Sequence, residues 1–178
     1  MTELATPDAY GRLIEPATLK IERLLPGPVE HVWAYLTDSD LRRQWLAAGD
    51  MPMRTGAPFT LTWRNDELTE NQGARPEGIR AEHSMDSQVV ELHAPYRLVF
   101  TWGERGEVAF DLHPEGDHVR FTITHRRISD RANTLMVGAG WHVHLDVLAS
   151  RLGGPTQPGT FWEQWQRLRG EYDQRLPQ

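Results

Sequence analysis

The stretch from Pro95 to Arg126 constrains the fold of this chain more than any other part of its sequence. Within it, three runs alternate large apolar residues with smaller or polar ones, which is the pattern of strands with one buried face. The apolar rows are Leu98, Phe100 and Trp102; Val108, Phe110 and Leu112; and Val119, Phe121 and Ile123. A turn at residues 114–117 connects the second run to the third. We therefore predict three adjacent antiparallel strands whose bulky apolar face is covered by a helix or by a second sheet.

Three further strands are predicted outside this stretch. The first covers Leu19 to Arg23, another covers residues 59–63, and another covers Gln88 to Leu92. The connection at residues 64–83 is polar and long for a structureless link inside a compact domain. Such a segment is either a lid over a site or a disordered surface insertion, and the sequence leaves both interpretations open.

Two short helices are expected directly after the first strand. Pro28 suits the first position of one helix, and Thr37-Asp38-Ser39 supplies capping oxygens for a second helix that carries Trp45. The pair has the shape of a helix-turn-helix, but its surroundings are acidic and lack a basic recognition face. We interpret the two helices as closing one end of the sheet.

The C-terminal part of the sequence predicts two more helices. The longer one runs from about Arg131 to Leu152, begins at a Ser129 or Asp130 cap, and stops at Gly153-Gly154-Pro155. Gly138 within it predicts a kink, a break or a close approach to the sheet. The terminal helix covers about residues 160–175 and begins with the capping-box spacing of residues 160–163.

Composition is that of one ordinary globular domain, since the 178 residues are 39% hydrophobic. We assign residues 1–14 to an N-terminal tail and residues 15–178 to a single domain. The chain has no cysteine, which excludes disulfides and thiolate metal sites and fits a reducing cytoplasm. We see neither an export signal nor a membrane span. A net charge of -6 and a single lysine, Lys20, argue against a nucleic-acid partner.

No sequence motif supports a named reaction or a bound metal. A nucleophile elbow, a zinc-protease motif and a phosphate loop are absent from the sequence. His142 and His144 are two residues apart and so point to different sides of a helix, while His113 and His118 bracket a turn without a carboxylate to complete a zinc site. We therefore expect no metal site and no cofactor.

An acid–base set is conceivable but weakly supported. It would consist of Glu91, Asp111 and His144, yet strand alternation points Asp111 away from Phe110 and into solvent. His144 has two interpretations, as a polar anchor for a ligand or as a half-buried histidine bonded to a neighbour. Our interpretation leans against an enzyme and names no catalytic residue.

The order of elements resembles the helix-grip fold of START-type and birch-pollen-allergen-like proteins, an α+β fold in which a curved antiparallel sheet wraps a long C-terminal helix. The residues that narrow this resemblance are Ile21-Glu22-Arg23, Val32-Trp33, Leu36-Thr37-Asp38, Trp45, Arg97 to Trp102 and Gly140 to Asp146. Together they resemble the SRPBCC superfamily, and within it the group similar to the C-terminal domain of activators of the heat-shock protein 90 ATPase. The resemblance covers about residues 15–152.

This resemblance implies a cavity between the sheet and the long helix that holds an apolar molecule such as a lipid, a polyketide or another aromatic compound. An empty cavity of about 300 Å³ would destabilise a domain by roughly 7 kcal/mol, so aromatic side chains, water or a ligand must fill it. Self-filling and a usable pocket both remain open. The candidate ligand-binding residues are Trp45, Phe59, Leu61, Trp63, Phe100, Trp102, Phe110, Phe121, Trp141, His144, Leu145 and Leu148.

The leading functional hypothesis is a cytoplasmic protein, monomeric or homodimeric, that binds a small hydrophobic molecule. A protein-interaction module that assists a chaperone would instead use an exposed apolar surface. A cyclase-like or hydrolase-like enzyme would act in the same cavity.

Overall fold

The structure is a computed structural model that describes residues 5–71 and 73–178. Among these described residues, seven strands form one antiparallel sheet, and four helices follow or interrupt it. The strands are β1 (Arg12–Glu15), β2 (Thr18–Pro26), β3 (Pro58–Trp63), β4 (His83–His93), β5 (Arg97–Trp102), β6 (Gly106–Glu115) and β7 (His118–Arg126). The helices are α1 (Val29–Thr37), α2 (Ser39–Arg42), α3 (Arg131–Arg151) and α4 (Phe161–Arg175), with a single 3₁₀ turn at Asn65–Glu67. This is the predicted α+β arrangement, with two short helices after the first long strand and a curved sheet around α3.

The sheet has the order β1-β2-β7-β6-β5-β4-β3. Leu98 pairs with Phe110, and Phe110 pairs with Ile123, so β5, β6 and β7 are adjacent as predicted. Residues opposite each other in a ladder point to the same face of the sheet. The three apolar rows therefore merge into one apolar surface, which α3 covers.

The sheet is longer at two places than the sequence predicts. Strand β4 begins at His83 instead of near Gln88, because its first half pairs with β3 and Trp63 lies opposite His83. All but the last residue of strand β1 lies within residues 1–14, the segment assigned to an N-terminal tail, and its Arg12 pairs with Lys20 of β2. Four residues are too few for alternation to identify a strand, which is why the sequence alone does not reveal β1.

Helix α3 is continuous from Arg131 to Arg151, so the predicted break near Gly138 does not occur. The Asp130 carboxylate caps the helix by accepting a hydrogen bond of 2.8 Å from the Asn133 amide. Gly138 permits a close approach, but to α4 and not to the sheet. A Cβ at Gly138 would lie 3.3 Å from Cδ1 of Tyr172, a separation that ordinary packing rarely allows.

Helix α4 begins with the predicted capping box, in which the Thr160 hydroxyl and the Glu163 carboxylate each accept a hydrogen bond from the other residue's amide. Further along α4, the Tyr172 hydroxyl accepts a 2.8 Å hydrogen bond from the Gly11 amide and lies 3.0 Å from Nδ1 of His142. Tyr172 therefore joins the N-terminal segment, α3 and α4.

Aromatic rings fill the centre of the interface between the sheet and α3. The ring centroids of Phe100 and Phe110 are 5.2 Å apart, as are those of Phe110 and Phe121, and the Trp45 ring lies 6.3 Å from Phe121. These spacings are typical of edge-to-face aromatic packing. Within residues 5–71 and 73–178, none of the helices is both long and apolar enough to cross a membrane.

Candidate functional site

A cavity of about 430 Å³ opens beside this aromatic core. The ends of β3 and β5, the start of β4, the first half of α3, the start of α4 and the β3–β4 connection surround it. Its lining is mostly apolar. The lining residues in the described part of the chain are Leu46, Trp63, Asn65, Ile79, Arg80, Ala81, His83, Met85, Trp102, Asn133, Met136, Val137, Gly140, Trp141, His144, Phe161, Trp162 and Trp165.

Five of the seven tryptophans of the chain line this one cavity. The Trp102 ring centroid lies 5.4 Å from that of Trp63 and 5.4 Å from that of Trp141, so these three rings form a continuous row from the sheet to α3. Trp162 and Trp165 of α4 lie 5.8 Å apart. Such rings give large apolar contact area with few rotatable bonds. The cavity therefore presents rigid, flat walls.

Hydrogen bonds hold two of these rings in place. The Trp141 indole N–H donates to Nδ1 of His125 at 3.0 Å, and the Trp162 indole N–H donates to the Asp66 carboxylate at 2.6 Å. Burial lowers the pKa of His125 to about 4, so this histidine is neutral near pH 7 and can accept the indole proton. Both indoles are thereby fixed in orientation, which preorganises the cavity wall.

The β3–β4 connection, residues 64–82, forms one wall of the cavity. Asp66 also pairs with Arg75, at 2.5 Å, and the Phe161 amide donates to the Thr69 hydroxyl at 3.2 Å. These contacts tie the connection to the start of α4. Whether it opens as a lid stays a prediction.

His144 presents one ring nitrogen to the cavity. Its Nδ1 lies 2.7 Å from the Trp45 carbonyl oxygen, which can only accept, so Nδ1 carries the proton and Nε2 does not. Burial lowers the pKa of His144 to about 4, although the bond to the carbonyl opposes this shift. His144 is therefore a neutral hydrogen-bond acceptor near pH 7.

Asn65 supplies a second polar group at the start of the β3–β4 connection. Its Oδ1 atom is buried and has no hydrogen-bond partner among the residues that the structure describes. An unpaired buried acceptor is destabilising by about 1–3 kcal/mol unless water or a ligand satisfies it. Because Asn65 Oδ1 is inaccessible to solvent, a ligand in the cavity does not reach it, and the acceptor at this end of the lining is Nε2 of His144.

Four of the twelve candidate ligand-binding residues line the cavity: Trp63, Trp102, Trp141 and His144. The other eight are buried in the core and do not line it. They are Trp45, Phe59, Leu61, Phe100, Phe110, Phe121, Leu145 and Leu148. The centre of the interface between the sheet and α3 is therefore filled by the protein's own side chains. At one end of this interface, an open cavity remains.

The sequence does not predict that the remaining lining residues lie at this cavity. Residues 79–81 of the connection and three aromatic residues of α4, Phe161, Trp162 and Trp165, form walls that no strand pattern indicates. One residue of α3, Gly140, is a sequence feature that fits the presence of the cavity. Gly140 faces open space, because a Cβ added there would meet no atom within 4 Å, and a glycine in a helix that lines a cavity keeps the cavity wide.

The conceivable acid–base set is not assembled. Arg97 pairs with Asp111 at 2.7 Å and with Glu91 at 3.1 Å, and both carboxylates are 41% exposed, whereas His144 is only 6% exposed. Asp111 is thus on the outer face, as its alternation with Phe110 indicates. His142 also lies apart from His144, since it contacts Tyr172 near the end of α4, whereas His144 contacts Phe161 at the start of α4. No cluster of three or more metal-binding side chains occurs in the part of the chain described.

Comparison with protein families identifies the chain. Residues 26–153 match the family described as activator of Hsp90 ATPase homolog 1-like protein. The chain belongs to this family. The resemblance stated from the sequence is confirmed, including its placement within the SRPBCC superfamily.

Solved structures agree with this assignment. A Bordetella parapertussis protein encoded by gene BPP1335, solved by NMR, is 37% identical, with a TM-score of 0.77 over 100% of this chain and 97% of that chain. The crystal structure of CalU16 from Micromonospora echinospora is 23% identical, with a TM-score of 0.66 over 96% of this chain and 98% of that chain. DynU16, a protein of the dynemicin biosynthetic locus, is 21% identical, with a TM-score of 0.61 over 80% of this chain and 50% of that chain. The last two show the fold alone. A comparison with curated proteins found no match.

Proposed function

We propose that this protein binds a small, apolar aromatic molecule in the tryptophan-lined cavity. The observation that supports this most directly is the convergence of five tryptophans on one open cavity of about 430 Å³. Small-molecule sites are typically about 300–1,000 Å³, mostly apolar, and contain a few polar anchors. The cavity has this size and this chemistry.

Solvent supplies the driving force for binding. At about 30 Å³ per molecule, the cavity holds on the order of fourteen waters, most of them against rings that cannot hydrogen-bond. A flat aromatic ligand would release these waters and stack on the walls, with little change in the side chains that hydrogen bonds already fix.

Two other functions are less well supported. A chaperone-binding module would use a continuous exposed apolar patch. The exposed large hydrophobic residues lie on different elements, and one of them, Met136, lines the cavity; they are Ile14, Met53, Val90, Tyr96 and Met136. For an enzyme, the cavity would need an acid to work with His144, and the lining residues described include no aspartate or glutamate. Cytoplasmic location and oligomeric state stay predictions.

Gly140 offers a direct test. In the variant Gly140→Leu, the new Cβ meets no atom within 4 Å and the side chain extends into the cavity, so we expect the fold to be kept while the ligand is excluded. The control is Gly170→Leu in α4, since Gly170 is exposed, lies in a helix, does not line this cavity and likewise has free space at Cβ. Both variants gain helix propensity, so their stabilities remain comparable.

Binding is measured by calorimetry with naphthalene-type probes and by tryptophan fluorescence. We expect the wild type and Gly170→Leu to bind equally, and Gly140→Leu to bind at least about tenfold more weakly, because a close-packed side chain leaves no room. Equal binding by Gly140→Leu would place the ligand elsewhere and refute the proposal. If no probe binds but a chaperone does, the interaction-module hypothesis becomes the better one.

A further inference from the structure

We infer that the ligand of this cavity is a neutral aromatic compound with a hydrogen-bond donor, such as a phenolic hydroxyl, which donates to Nε2 of His144. This inference rests on the proposed function, because it specifies the class of molecule that the same cavity takes. It depends on the direction of the hydrogen bonds around the cavity and not on the shape of the cavity alone.

The hydrogen bond at Nδ1 fixes what His144 can recognise. Because the Trp45 carbonyl holds the proton on Nδ1, Nε2 can only accept. In the described parts of the chain, no side chain or amide donates to Nε2. Its immediate surroundings are aromatic, with the Phe161 centroid at 5.1 Å and the Trp141 centroid at 6.5 Å. A ligand hydroxyl or N–H would satisfy this nitrogen, and a ketone or ether oxygen would not.

Charge considerations exclude the ionic alternatives. A protonated amine would lose its hydration without meeting a counter-charge, because the lining residues described include no carboxylate. A carboxylate placed at the His144 end would face the lone pairs of Nε2 instead of a donor. The charged lining residue, Arg80, is exposed. The remaining ligand class is therefore a neutral aromatic compound with a hydrogen-bond donor.

The test compares three probes of one shape, namely 1-naphthol, 1-methoxynaphthalene and naphthalene. Calorimetry gives their affinities for the wild type and for the variant His144→Phe. We expect 1-naphthol to bind about tenfold more tightly than its methyl ether, since a satisfied buried acceptor replaces an unsatisfied one. His144→Phe is expected to abolish this preference while keeping affinity for naphthalene.

A spectroscopic measurement on the wild type avoids any folding defect of His144→Phe. The ¹⁵N resonance of His144 Nε2 is expected to move when 1-naphthol binds and to stay in place when 1-methoxynaphthalene binds. Equal affinity for all three probes, or an Nε2 resonance that naphthol leaves unmoved, would overturn this inference and leave the proposed function intact. Failure of all three probes to bind would overturn both.

Discussion

Acidification from about pH 7 to about pH 5 is expected to destabilise this protein through its buried histidines. His125, His142 and His144 are 2%, 6% and 6% exposed, and the other five histidines of the chain are exposed. Burial lowers the pKa of His125 and His144 to about 4 and that of His142 to about 3. For His142, the Arg23 guanidinium acts in the same direction, so its contact with the Asp146 carboxylate involves a neutral imidazole near pH 7.

The size of this destabilisation follows from the difference between the numbers of protons that the folded and the unfolded protein bind. In the unfolded chain a histidine has a pKa of about 6.5 and gains a proton as the pH falls to about 5, while in the folded protein it stays neutral. The contribution of each group is fully present above about pH 6.5 and is lost as the pH falls toward the folded pKa. Each histidine accounts for about 2 kcal/mol over this interval, and the three together for about 6 kcal/mol.

A loss of this size is large beside a typical free energy of unfolding of about 5–15 kcal/mol. Asp146 acts in the opposite direction, because burial raises its pKa, but it is a single group.

Urea unfolding at several pH values between about 7 and 5 measures the effect, and NMR signals of the three rings report whether they stay neutral in the folded state. If the free energy of unfolding changes by less than about 1 kcal/mol across this interval, the burial of these three histidines as neutral groups is wrong.

Three further predictions concern packing. Tyr172→Phe leaves the Gly11 amide without its acceptor and is expected to lower the free energy of unfolding by about 1–3 kcal/mol in urea titrations. An unchanged midpoint would show that water replaces the hydroxyl. Gly138→Leu forces a side chain against the Tyr172 ring and is expected to lower the free energy of unfolding by about 1–3 kcal/mol or more. A thermal midpoint equal to that of the wild type would contradict the close approach of α4. Trp162→Phe removes the hydrogen bond from the indole N–H to the Asp66 carboxylate and is expected to speed amide hydrogen exchange in residues 64–71. Unchanged exchange there would mean that other contacts hold the β3–β4 connection.

Local signals in the sequence were enough for the framework of the fold. Alternation places Leu98, Phe110 and Ile123 on one face because strand geometry leaves no choice, and the caps at Asp130 and Thr160 follow from hydrogen bonds over three residues. The family resemblance then supplied the order of the elements in space.

The cavity was harder to predict from the sequence. Periodicity shows which face of the sheet a side chain points to, but it does not show whether that position along the strand lies in the core or at the cavity. Phe100 and Trp102 share a strand and a face, yet Phe100 is core and Trp102 lines the cavity. Gly138 and Gly140 show the same limit in α3, since one packs against α4 and the other faces open space. The side chains that decide these cases come from α4 and from residues 64–82, which are distant in sequence.

Native mass spectrometry of the protein purified from its own host, alongside Gly140→Leu and Gly170→Leu, tests the central claim most directly. The account predicts a non-covalent aromatic molecule on the wild type and on Gly170→Leu, and its loss from Gly140→Leu. A molecule retained at equal occupancy by Gly140→Leu would contradict the account, as would a bare wild-type protein that also fails to bind any naphthalene probe.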